Sequence, residues 1–225
     1  MRILVIAPHA DDETLGCGGT IAKAVRDGHD VVVAVMTGHG PDPHPLWPRS
    51  VWDVVRGEAR QAMPVLGVTD LRFCELPAVL IPDLPRHELN RACGELLNEV
   101  APDELYVPFP LDLHGDHREL FHAFSVAWRP TTAVGRGIRR ILAYETLSET
   151  HWNIPYVEQG FVPNVWNDIS STLDTKLEAM SRYASQVRPF PDARSIEALR
   201  ALAQFRGAQV GVPAAESFVL VRALD

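Results

Sequence analysis

The chain has 225 residues, enough for one sizeable core, and its 46% hydrophobic and 22% charged residues exclude a disordered or low-complexity protein. A formal net charge of −8 speaks against binding to a phosphate backbone, which draws on clustered Lys and Arg, so nucleic acid is not an expected partner. No apolar run approaches the roughly 18–20 residues of a membrane span, and no membrane partner is expected.

In chain order, Arg2–Ala7 is a short apolar run that reads as a strand. A small-residue helix follows from about Thr14 to Asp27, stopped by Gly28. Asp30–Met36 is a nearly continuous β-branched run, the pattern of a strand covered on both faces. The stretch Gly38–Ser50 is a loop holding four prolines together with His39, His44 and Trp47. From Trp52 to Leu66 one helical face collects Val55, Ala59, Ala62, Met63 and Leu66, with Pro64 expected to end the regular helix early. A strand near Leu71–Cys74, an irregular Pro-rich stretch and a helix carrying Leu89, Cys93, Leu96, Leu97 and Val100 come next. Leu105–Val107 is a strand, and Asp112–His117 is a polar loop after it. Strands are expected at Arg139–Tyr144, Val165–Ile169 and Ser217–Val221, and helices from a capping box at Ser171-x-x-Asp174 to about Ala184 and over Ser195–Arg206. Strands alternating with helices predict a mostly parallel sheet, whose ligands bind outside the carboxyl ends of the strands. Cys17, Cys74 and Cys93 form no C-x-x-C, and the first strand has no signal-peptide h-region before it, so a reducing, cytoplasmic location is the expectation.

Two strand-end loops concentrate the chemistry. Pro8-His9-Ala10-Asp11-Asp12-Glu13 sets three consecutive acids beside a histidine, directly after a buried strand. Like charges this close raise one another's pKa unless a cation compensates. His9 and Asp12, three apart, can aim at one point, and an imidazole with a carboxylate suits zinc. The bland alternative is that Asp11–Glu13 only cap the next helix. Gly16, Gly18 and Gly19 suggest a dinucleotide loop, but Ile21 stands where the third glycine is needed; close helix–strand packing accounts for them better. The second loop, His114-Gly115-Asp116-His117, offers His117 as the third ligand and leaves the fourth position to water, the arrangement of catalytic zinc. His114 is then free for acid–base work or oxyanion stabilisation, with Asp116 to orient its ring and hold it protonated.

These motifs resemble those of the LmbE-like (PIG-L) zinc-dependent N-deacetylases, whose usual forms are A-H-P-D-D-E and H-x-D-H. The stretch L-G-C-G-G-T-I, the helix around Arg56-Gly57-Glu58, Pro163-Asn164-Val165, Ser185-Gln186 and Arg206-Gly207-Ala208-Gln209 extend the likeness over nearly the whole chain. Ala10 and Gly115 replace prolines commoner in the family, which touches backbone stiffness and not ligand chemistry. The resemblance implies Zn2+ held by His9, Asp12 and His117, with Asp11 as general base, His114 stabilising the oxyanion and Asp116 orienting it. It further implies a substrate contact at Arg56. The expected fold is α/β: a single-domain, Rossmann-like, mostly parallel sheet flanked by helices on both faces, over residues 1–225.

The function expected is hydrolysis of the N-acetyl amide of an amino sugar or small glycoside, with a small acylated amino sugar as partner. Trp47 and Trp152 are candidates to stack on a sugar face. A homo-oligomer is compatible with the composition. The competing class is a non-catalytic sugar- or nucleotide-binding α/β module with a structural metal, which has no use for an unliganded carboxylate such as Asp11 beside the ion.

Overall fold

The alternation of strands and helices builds one seven-stranded sheet. In the computed structural model, which describes residues 1–40 and 43–224, the strands are β1 (Arg2–Ala7), β2 (Asp30–Gly38), β3 (Asp70–Pro77), β4 (Glu104–Pro108), β5 (Arg140–Tyr144), β6 (Val165–Asp168) and β7 (Ala215–Ala223). Their order is β3-β2-β1-β4-β5-β7-β6. The pairs among β1 to β5 are parallel, and only β7 runs against its neighbours β5 and β6. The strand order reverses between β1 and β4, so a crevice opens beyond their carboxyl ends. Both sequence motifs hang from those two ends.

The helices are α1 (Asp12–Arg26), α2 (Arg49–Leu66), α3 (Arg86–Val100), α4 (Gly115–Ala127), α5 (Ala133–Gly137), α6 (Leu147–Thr150), α7 (Leu173–Ser181) and α8 (Ile196–Ala208). Helices α1, α2, α7 and α8 bury their apolar residues against one face of the sheet, with Ile3 and Val5 of β1 in that core. Helices α3 and α4 cover the other face, which takes Leu4 and Ile6. Alternate β1 residues thus enter opposite cores, which is why the strand reads as an unbroken apolar run. Among the described residues no helix is long and apolar enough to cross a membrane.

Three elements depart from the sequence reading. Helix α2 continues through Pro64 to Leu66, because a proline this near the C-terminus forfeits a single bond; Gly67, at φ +79°, and Val68 then cap the end by donating to Pro64 and Met63 carbonyls. The Ser171-x-x-Asp174 capping box does not form: Thr172 occupies the cap, and its hydroxyl instead donates to the Gly19 carbonyl at 2.8 Å. The second motif is not all loop, since α4 begins at Gly115 with His114 as its cap.

The glycines of α1 serve close packing. A methyl group on Gly16 would overlap the ring of Tyr144, a fully buried β5 residue whose hydroxyl donates to the Ile6 carbonyl at 2.7 Å. Neither side can give way without losing that bond or lifting α1 from the sheet. Gly16→Ala is therefore expected to cost about 1–3 kcal/mol of stability, read as a lower urea midpoint at unchanged slope. An unchanged midpoint would contradict this packing account.

Candidate functional site

The β1–α1 junction turns the first motif into the crevice. Asp11 precedes α1, but at φ +136° its side chain makes no capping bond, whereas Glu13 Oε2 accepts from the Asp11 backbone N–H at 3.2 Å. Asp12 turns back instead: its Oδ2 accepts from the His9 backbone N–H at 2.8 Å. Glu13 faces away from the crevice, accepting from the hydroxyls of Thr14 and Tyr183 at 2.6 Å each.

Helix α4 delivers the second motif to the same point. His117 is fully buried, with Nε2 3.2 Å from Asp12 Oδ2, while His9 Nδ1 lies 3.4 Å from that oxygen. The ligating atoms of His9, Asp12 and His117 all fall within 4.8 Å of one another, a group that can hold a metal ion. His9, His114 and Asp116 satisfy the same span. In that second grouping, however, His9 Nε2 and His114 Nδ1 are already engaged by Asp116.

The residues behind the first grouping fix which nitrogen faces inward. His117 Nδ1 pairs with Asp112 Oδ2 at 2.8 Å, and Thr150 donates its hydroxyl to Asp112 Oδ1 at 2.6 Å. His9 Nε2 pairs with Asp116 Oδ2 at 3.0 Å, and that same oxygen accepts from the Val79 backbone N–H at 2.6 Å. A ring N–H spent on a carboxylate leaves the other nitrogen as the free donor of a lone pair. His117 Nε2 is buried and lacks any hydrogen-bond partner, and so does one carboxylate oxygen of Asp11.

The electrostatics fit a missing positive charge. Burial, and then the charge of Asp12, push the Asp11 carboxyl up to about 8 against a partial offset from Arg194. Burial opposes ionisation of Asp12 too, but His117 and His9 outweigh it and hold its pKa well below the usual carboxylate value. Burial likewise disfavours charge on His9, yet bonds to Asp116 and Asp12 raise it to about 9. A cation among these groups relieves the crowding of acids that burial makes costly.

Asp116 does something other than the sequence suggested. Its carboxylate holds His9 and not His114. The His114 ring is served by the Asp116 backbone N–H, which donates to Nδ1 at 3.1 Å. Nδ1 is therefore an acceptor, and the ring proton sits on Nε2. Burial, followed by the charge on His9, pushes His114 down to about 4, so the ring is neutral and not held protonated.

A cavity of about 310 Å³ opens over the motifs and is lined by His9, Asp11 and His114 together with Trp47, Trp52, Arg56, Phe73, Val79, Gln186 and Arg194 among others. Arg56 and Trp47 thus reach the site, as the sequence suggested, although Arg56 is also paired with Glu75. Trp152 does not: it is 58% exposed and lines no part of this cavity. In the Gly38–Ser50 loop, Pro41 and Asp42 lie outside the described residues. Asp112, Val79, Gln186 and Arg194 were not named as site residues by the sequence reading. The Arg194 guanidinium approaches Asp11 Oδ2 at 3.4 Å and Glu149 at 3.7 Å. Asp11, Glu75 and Val79 all have positive φ, each costing about 1–3 kcal/mol, and all three lie at or beside the cavity.

Residues 4–128 match the family described as PIG-L: GlcNAc-PI de-N-acetylase. The chain is 27% identical over 192 residues to the uncharacterized deacetylase YaiS of Escherichia coli, covering 81% of this chain and 90% of the relative. It is 26% identical over 276 residues to the 1D-myo-inositol 2-acetamido-2-deoxy-alpha-D-glucopyranoside deacetylase of Rhodococcus jostii, covering 98% and 91%. The solved structure of N,N'-diacetylchitobiose deacetylase from Pyrococcus horikoshii, complexed with its inhibitor MPG, superposes with a TM-score of 0.75 at 25% identity, over 98% of this chain and 83% of that one.

Proposed function

Since the chain belongs to the PIG-L, or LmbE-like, family, we propose that it is a zinc-dependent N-deacetylase, hydrolysing the N-acetyl amide of an amino sugar or small glycoside to a free amine and acetate. The reading takes residues 1–225 as one deacetylase domain and places it in the cytoplasm, in keeping with three free cysteines. The observation that carries it is the grouping of half-buried His9 with buried Asp12 and His117, and two further groups, Asp11 and His114, at the wall of one cavity.

Zinc suits the donor set. Tetrahedral zinc with bonds of about 2.0–2.1 Å puts its ligand atoms roughly 3.3 Å apart, and Asp12 Oδ2 stands 3.4 and 3.2 Å from His9 Nδ1 and His117 Nε2. Bound there, zinc supplies Lewis acidity, lowering the pKa of water and polarising an acyl carbonyl. The chain's own groups do the rest. Asp11 takes the proton of the attacking water at its free carboxylate oxygen, beside the Arg194 guanidinium that favours the ionised form. As the acyl carbon becomes tetrahedral, the neutral His114 donates its Nε2–H to the developing oxyanion. Asp11 then passes its proton to the leaving nitrogen.

Elemental analysis of the purified protein, together with acetate release from N-acetylglucosamine derivatives, tests the proposal. Bound zinc with no hydrolysis of any acylated amino sugar would count against it. His114→Ala is expected to retain the metal and lose about 10²–10³-fold in turnover, the usual cost of one oxyanion donor. Wild-type turnover in that variant would remove His114 from the mechanism.

A further inference from the structure

We infer that Glu75 is a positioning residue of the site, whose carboxylate holds the Arg56 guanidinium at the cavity wall for an oxygen of the bound substrate. It rests on the deacetylase reading above. Arg56 stands on α2 and lines the cavity that His9, Asp11 and His114 also border. A free arginine side chain samples many rotamers, and fixing one on binding costs entropy. Two residues of β3 fix this one in advance. The guanidinium lies 5.3 Å from the centre of the Phe73 ring, and it is paired with the Glu75 carboxylate. Its Nε is buried and makes no hydrogen bond among the described residues, which leaves a donor for a substrate oxygen.

The backbone is bent to make that pair. Between Val35 and Thr37, two steps along β2 face three along β3, from Phe73 to Leu76. Strand β3 therefore carries one extra residue in the stretch that holds Glu75. Glu75 itself has φ +59°, a conformation that glycine adopts freely and other residues seldom do. On β2, Gly38 gives the carboxylate room, since a methyl group there would lie 2.7 Å from Glu75 Oε2. Stability alone does not account for this arrangement. Both side chains are partly exposed, and such a pair stabilises less than a left-handed, non-glycine residue costs. Strain of this kind collects where a site depends on the side chain that bears it.

Glu75→Gly separates the two roles, because it relieves the backbone and removes the carboxylate together. With zinc-loaded protein and N-acetylglucosamine, KM is expected to rise about tenfold, the worth of one hydrogen bond from a charged donor. The turnover number should hold, as it does when uniform binding is lost, and the melting temperature should be equal or higher. Glu75→Gln should raise KM in the same direction, and much less once Arg56 is already Ala. A wild-type KM in Glu75→Gly would overturn the inference, and so would an equal effect of Glu75→Gln with and without Arg56. Nitrogen-15 NMR of Arg56 Nε, identified by its loss in Arg56→Lys, reads the holding without turnover. Slow guanidinium rotation is expected in wild type and its loss in Glu75→Gly; equal rotation in the two would overturn the inference by itself. Failure of the deacetylase reading shows separately, as no acetate released from any acylated amino sugar.

Discussion

Asp11→Asn is expected to lower turnover by about 10²–10⁴-fold while metal content stays at the wild-type level, the range a lost general base commonly produces. Asparagine keeps the shape and cannot take a proton. Asp11 is set up for proton transfer by its position: it neighbours the ligand Asp12, keeps one oxygen without a hydrogen-bond partner, and is turned from the α1 cap into the cavity by its positive φ. The same variant carries a pH signature in the metal-free protein. Burial and the charge of Asp12 raise its carboxyl from the ordinary 3.8 to about 8, so folding favours the protonated form. That contribution to stability is complete below about pH 4 and is lost as pH rises through about 8. Asparagine has no proton to lose. Melting in chelator should therefore show Asp11→Asn more stable than wild type at pH 8, with the gap narrowing towards pH 5. Wild-type turnover in the metal-loaded variant would end the base assignment, and a gap independent of pH would refute the buried-charge account.

The sheet was legible because its central strands obey one simple rule. Val31–Met36 and Ile3–Ala7 are buried on both faces and so appear as unbroken apolar runs. That pattern marks their carboxyl ends in the sequence, and with them the two loops that matter. Spacing aims His9 and Asp12, three residues apart, at one point; His117 joined them only through the second strand-end loop, and the resemblance implied the full set. Which carboxylate serves which imidazole did not follow. Asp116 stands two residues from His114 and more than a hundred from His9, yet its carboxylate chooses His9, because the turn that carries Val79 folds over the same oxygen. Asp112 was visible only as one more loop acid, and its role depends on α4 starting at Gly115. That helix was hidden because its first turn is all polar chemistry, and its apolar stripe, Leu120, Ala123 and Phe124, begins only after His117. Val79 and Arg194 come from irregular segments, where no period exists to predict a side chain's direction.

His117→Ala is expected to abolish metal binding and reduce turnover to background, and it is also expected to weaken the fold. The imidazole is wholly buried between two buried carboxylates, with Nε2 3.2 Å from Asp12 and Nδ1 2.8 Å from Asp112. Its pKa stands well above the usual value, because Asp12 and the Asp112 bond outweigh the burial that opposes its charge. Removing it strands both acids and opens a void, and losing one partner of a buried ion pair costs about 3–5 kcal/mol. Two outcomes separate loss of a ligand from loss of structure. Asp112→Asn keeps an acceptor for the Nδ1–H but not the charge, so it should stay folded while metal affinity falls about 10–100-fold, the usual effect of removing such a support. Elemental analysis of His117→Ala, with chelator competition on Asp112→Asn, measures both. Full metal occupancy in His117→Ala would move the metal to other ligands, and the grouping of His9, His114 and Asp116 would be the next to test. Unchanged affinity in Asp112→Asn would mean that the imidazole is held by packing alone, with its carboxylate partner a bystander.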